Sequence, residues 1–319
     1  MTSPVDLAGQ RTTTNELKED STHRNVFMQI SNQTTMQPDT SSTEDELFVE
    51  ERNAAGDQTI VFLHGGRSCH LEWDAVAASP ALAGHRLLLV DLPRHSQSRH
   101  IAPMTLSHAA DAVAVVIRKH CPNFDGKGAR AHVVGLSLGG FTALTLAARH
   151  PDLLLSCFTT GASPWAGVFR WAGSRPRLLW AMDNIQNAIP KLDDLVYWKM
   201  GLQVNAALRE EMRRNKSWEL TREMHLSITK DFGWEVVGDM ARSGVRCCVV
   251  AGGKVDQVAP VRMMGRVFGE WEMARAAGCT ARVVWDAVHP WNLQLPDLFA
   301  RGVRAWVEGG ELPVEFEKV

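Results

Sequence analysis

The run Gly135-Leu136-Ser137-Leu138-Gly139-Gly140 constrains this chain more than any other stretch. It follows the apolar segment Ala131-His132-Val133-Val134 and precedes the helix-forming segment Phe141 to His150. A G-x-S-x-G sequence between a strand and a helix puts its serine on a sharp turn, with the hydroxyl exposed at the end of the strand. Gly135 and Gly139 leave room there for a backbone that side chains would obstruct. Ser137 is therefore a candidate nucleophile, and its surroundings are expected to be those of an α/β protein.

The rest of the chain agrees. Strand-like runs begin near Glu46, Thr59, Arg86, Ala131, Ser156, Val245 and Thr280, and most are separated by helical patterns. That alternation predicts a mostly parallel sheet with helices on both faces. Leu106, Ala109, Ala110, Val113 and Ile117 recur at helical spacing, with Thr105 or Ser107 placed to cap the start. A last helix should open at Pro296 and stop at Gly309-Gly310.

A serine hydroxyl needs a base to take its proton and an acid to orient that base. The run Val245 to Ala251 leads into Gly252-Gly253-Lys254-Val255-Asp256, which makes Asp256 the candidate acid. Asp286 competes but lies only three residues before His289. His289 follows the run Thr280 to Trp285 and is the candidate base. The run Thr59 to Leu63 ends in His64-Gly65-Gly66, a loop able to supply one amide of an oxyanion hole. Gly66 and Leu138 are the candidate donors, and His64 is expected to brace the loop.

In this order the motifs resemble a serine hydrolase of the α/β-hydrolase fold, in the branch that carries a helical cap. The resemblance covers residues 46 to 319. It implies Ser137 as nucleophile, Asp256 as acid, His289 as base and the amides of Gly66 and Leu138 as oxyanion donors. It also implies a cap inserted after strand 6 of the family's scheme, here residues 164–230, on a core of residues 46–163 and 231–319. One departure stands out. Where the family commonly reads D-x-P-G-x-G-x-S, this chain reads Asp91-Leu92-Pro93-Arg94-His95-Ser96-Gln97-Ser98. Arg94 and Ser96 replace two glycines and add side chains beside the pocket mouth.

Charge and composition exclude several other classes. With 34 basic and 36 acidic residues the chain has no global field to attract nucleic acid or an anionic membrane, and neither partner is expected. There is no apolar run of the length a spanning helix needs, and residues 1–10 lack the pattern of a signal peptide, so the expected location is the cytosol. The six scattered cysteines are read as free thiols, and the sequons at Asn32 and Asn215 as coincidental. Residues 1–45, rich in Thr, Ser, Gln and Asp, are expected to form a flexible tail with at most an edge strand at Val26 to Ile30. No metal-ligand pattern, phosphate loop or dinucleotide fingerprint is present, and no cofactor is expected.

Residues 164–230 carry five tryptophans, of which Trp165, Trp171, Trp180 and Trp198, together with Arg94, are the candidate substrate contacts. The expected function is cofactor-independent cleavage of a small-molecule ester, thioester or lactone. Two alternatives share the same residues: acyl transfer or chain release in a biosynthetic pathway, and a non-catalytic ligand-binding protein on the same fold.

Overall fold

The computed structural model describes residues 46–121, 126, 128–187 and 192–319. The expectations for residues 1–45 lie outside these. Eight strands, β1 Val49–Arg52, β2 Thr59–Leu63, β3 Arg86–Val90, β4 Ala131–Leu136, β5 Leu154–Thr160, β6 Cys247–Gly252, β7 Thr280–Val284 and β8 Glu317–Lys318, form one sheet. Its order is β1-β3-β2-β4-β5-β6-β7-β8. The six inner strands run parallel, while β1 pairs with β3 and β8 with β7 antiparallel. The two-residue β8 had no pattern to announce it.

Parallel strands covered on both faces read as continuous apolar runs, and β2, β4 and β6 are buried throughout. Because successive side chains point to opposite faces, β2 feeds two cores. Val61 and Leu63 join one with the helices Leu106–His120, Leu138–Arg149 and Trp234–Ser243. Ile60 and Phe62 join the other with Trp73 and, from the helix Pro296–Glu308, Phe299 and Val303. Thr105 is the cap of Leu106–His120, its hydroxyl accepting from the His108 amide at 3.3 Å. Pro296 opens the last helix, and Gly309 ends it at φ 74°.

Between β5 and β6, by this chain's own count, lie the helices Gly167–Gly173, Pro176–Asn187, Leu192–Met200, Ala206–Arg214 and Trp218–Asp231. Residues 164–230, read from sequence as a cap, fall on these helices. These helices cluster with the sheet as one compact unit. The six cysteines are unpaired thiols. No helix among the described residues is long and apolar enough to cross a membrane.

Candidate active site

Ser137 leaves β4 at φ 51°, ψ −115°, a conformation that is costly for a residue with a side chain. Its surroundings hold it there. The Ser137 amide donates to the Thr160 carbonyl at 2.9 Å, and the Gly139 amide to that of His64 at 3.0 Å. Both glycines are obligatory: a Cβ on Gly139 would stand 2.0 Å from the Leu63 oxygen, and one on Gly135 2.3 Å from the Gly139 oxygen. Leu138 opens the following helix, where backbone amides lack intrahelical partners.

His289 and Asp256 are brought into contact. His289 Nδ1 hydrogen-bonds the Asp256 carboxylate at 2.5 Å, and the other Asp256 oxygen accepts from the Gly252 amide at 2.8 Å. Burial disfavours charge on the imidazole, but the hydrogen bond and charge of Asp256, joined by the charge of Glu72, outweigh it and raise the His289 pKa. Asp286 stands apart, its carboxylate 92% exposed and paired with Lys254. The His289 ring rests on Gly161, where a Cβ would lie 2.6 Å from the ring. Ser137 and His289 line the same two cavities.

The loop after β2 is braced by buried polar groups. His64 Nδ1 donates to the Gly65 carbonyl at 2.7 Å, and its Nε2 accepts from the Leu92 amide at 3.0 Å. Those partners fix the neutral tautomer, and burial pulls the pKa down to about 4. His95 does the same on the far side, donating to Pro93 and accepting from the Arg67 amide at 3.0 Å, its pKa pulled down to about 3 chiefly by burial. The Gly65 amide donates to the buried carboxylate of Glu72 at 2.7 Å. Gly66 lines the larger cavity, and a Cβ there would meet Met224 Sδ, from the insertion, at 2.7 Å.

Arg94 proves to be occupied elsewhere. Its guanidinium grips Glu223 of the insertion through two hydrogen bonds, at 2.6 and 3.0 Å, and it is not among the residues lining either cavity at Ser137. Arg94 and Ser96 keep the left-handed backbone that glycine favours, at φ 64° and 43°. Ser96 is tied down by Asn215, whose Oδ1 accepts from its amide at 2.7 Å, and by Glu211, which accepts from its hydroxyl at 2.8 Å. The same Asn215 donates to the Arg67 and Ser68 carbonyls at 3.1 and 2.8 Å. Its sequon is therefore closed off, the residue being 2% exposed.

Of the four candidate tryptophans only Trp165 lines the cavities. Trp198 is 79% exposed and Trp171 half exposed beneath Arg175. Trp180 packs edge-on against Trp218. Helical spacing locates an aromatic ring on a helix but not the face that meets the site. Nothing in the sequence marked the contacts of Glu72, His95 and Asn215 or the ion pair between Arg67 and Asp183, which links the loop after β2 to the insertion. Cys69, His70 and Asp91 cluster within 4.8 Å, but the Asp91 oxygens already accept from the amides of His70 and Gln97.

Residues 58–208 match the family model described as alpha/beta hydrolase fold. An AB hydrolase superfamily protein of Gibberella zeae is 28% identical over 88% of this chain and 90% of its own length. A pimeloyl-[acyl-carrier protein] methyl ester esterase of Neisseria meningitidis is 27% identical over 79% of this chain and 93% of its own. Among solved structures, an esterase from Exiguobacterium antarcticum superposes with a TM-score of 0.62 at 15% identity, covering 82% of this chain and 95% of that one. A thermophilic esterase from Thermogutta terrifontis gives 0.57 at 18% identity, covering 82% and 93%. Sheet order, the serine turn and these likenesses agree: the chain has the α/β-hydrolase fold.

Proposed function

We propose that the chain is a cofactor-independent serine hydrolase that cleaves an ester, thioester or lactone through an acyl-enzyme on Ser137. The observation that carries this reading is the pairing of His289 with Asp256, at 2.5 Å, in a site whose two cavities both contain Ser137. The esterase names of the relatives support the same class of reaction.

Asp256 holds the proton on Nδ1, which leaves the Nε2 lone pair to receive the Ser137 proton. Ser137 Oγ bonds to the acyl carbon, and the amides of Gly66 and Leu138 take the charge that develops on the carbonyl oxygen. The bond to the leaving oxygen or sulfur then breaks, and that atom receives the proton from Nε2. Water adds to the acyl-enzyme by the same route, releasing a carboxylic acid and restoring the Ser137 hydroxyl. The insertion of residues 164–230 acts as the cap, and the unpaired thiols fit a reducing compartment such as the cytosol.

A fluorophosphonate probe tests the reading. It should label the wild-type chain and not Ser137→Ala, and labelling should require native His289. A wild-type chain that stays unlabelled overturns the reading.

A further inference from the structure

Two cavities leave Ser137 and His289 in different directions. The larger, about 500 Å³, runs beneath the insertion between Leu179, Met182, Leu202, Met212 and Met224, and it contains Gly66 and Leu138. The smaller, about 330 Å³, is walled by Phe141, Ala162, Phe169, Val255 and Val261 and reaches Asp256. Trp165 is the one tryptophan lining both. Its ring is wedged in place. Phe141 meets it edge-on at 6.1 Å, His225 lies at 6.1 Å, and Gly173 backs it so closely that a Cβ there would stand 2.4 Å from the indole.

We propose that Trp165 partitions the site into two apolar chambers, and that the natural substrate is an ester or thioester with a bulky apolar group on each side of its scissile carbonyl. This rests on the reading of Ser137 as the nucleophile. At the attacked carbon one bond goes to Ser137 Oγ and one to the oxygen held by the amides, so the acyl arm and the leaving-group arm must depart along the two remaining directions. The two chambers, whose linings share only Ser137, Trp165 and His289, can take one arm each. Each has the volume of a small-molecule pocket, which starts near 300 Å³. A methoxy group fills roughly the space of one or two waters at about 30 Å³ each, so it would leave either chamber largely empty. Apolar side chains dominate both walls, and the charged groups of the larger chamber are engaged within the protein, Arg67 with Asp183 and Glu72 with the Gly65 amide, while His225 donates to the Thr221 carbonyl, so an alkyl or aryl arm suits both. The wedged indole also denies a single long chain the use of both chambers. The products are then a bulky carboxylic acid and a bulky alcohol or thiol.

Four esters test this: the methyl and benzyl esters of acetic and 4-phenylbutanoic acids, whose two alcohols are leaving groups of similar basicity. Benzyl 4-phenylbutanoate should exceed both methyl 4-phenylbutanoate and benzyl acetate by at least about tenfold in kcat/KM. Ser163→Phe, which fills the smaller chamber, should cut one ratio, benzyl over methyl or phenylbutanoyl over acetyl, about tenfold and spare the other. That ratio identifies the arm the chamber holds. Val255→Trp, at the exposed rim of the same chamber, should cut the same ratio and serves if Ser163→Phe fails to fold. Trp165→Ala should shrink the advantage of two arms over one. Equal kcat/KM for one-armed and two-armed esters overturns the proposal, as does a loss of both ratios alike in the chamber-filling variants, or a fluorophosphonate-labelled enzyme that cleaves none of the four. Absence of fluorophosphonate labelling instead overturns the reading of Ser137 on which the proposal rests.

Discussion

The Gly65 amide donates to the Glu72 carboxylate at 2.7 Å, and that carboxylate lines the same cavity as His289. A buried acid thus shapes the loop that carries Gly66, and its charge favours the protonated imidazole.

Glu72→Gln keeps an acceptor for Gly65 and removes the charge. The His289 pKa should fall, so the acid limb of kcat/KM should move to lower pH, since the neutral imidazole is the active form. Stability should move with the opposite sense of pH. Burial raises the Glu72 pKa, so the folded state holds its proton more tightly than the unfolded one. The contribution of Glu72 to stability is then greatest below the unfolded carboxylate pKa and is lost as pH rises through the folded value. The thermal midpoint of Glu72→Gln relative to wild type should therefore climb between pH 4 and 8. A constant difference across that range would contradict the buried-charge account.

Asp256→Asn should lower turnover on the order of 10⁴-fold with the fold intact, because its oxygen keeps accepting from the Gly252 amide and its NH2 then donates to Nδ1, which moves the imidazole proton to Nε2 and leaves that nitrogen unable to take the Ser137 proton. Asp286→Asn should leave turnover within twofold. Steady-state kinetics with circular dichroism of both variants checks this, and the reverse outcome would reassign the acid.

Arg94 couples a strained backbone to an ion pair. Its pair with Glu223 is a quarter exposed on the arginine side, so its loss in Arg94→Ala should cost about 1 kcal/mol after solvent screening. Arg94→Gly loses the same pair but relieves a left-handed backbone at φ 64°, by roughly 1 kcal/mol. The glycine variant should melt about 2 °C above the alanine variant. Equal midpoints would show that the loop relaxes once the pair is gone.

Exposed insertion tryptophans should be silent. Trp198, 79% exposed, lines neither cavity at Ser137, so Trp198→Ala should change stability by less than about 0.5 kcal/mol and leave the long-to-short acyl preference unchanged. A shifted acyl preference would place this residue on a substrate path.

The elements and candidate site residues that sequence made legible are those set by local pattern. Ser137, Asp256 and His289 each follow a strand, and a strand end is readable from the apolar run before it. The β2 and β4 runs could be read because burial on both faces leaves them almost wholly apolar, with Thr59 and His132 the exceptions. What escaped is long-range pairing. Arg67 finds Asp183 across 116 residues, Arg94 finds Glu223 across 129, and the Ser96 amide finds Asn215 across 119, with no periodicity to link them. The replacement of two family glycines by Arg94 and Ser96 was visible, yet their retained left-handed backbone and their partners on the insertion were not.

The ion pair between Arg67 and Asp183 joins the residue next to Gly66 to the insertion's wall of the larger cavity at Ser137. On the proposed reading of Ser137, selectivity and catalytic power share a tether. Adaptation to a new substrate by remodelling the helix Pro176–Asn187 must preserve that tether or disturb the donor loop along with it. The evolvable positions are then those of the smaller chamber, which can be reshaped without touching the pair.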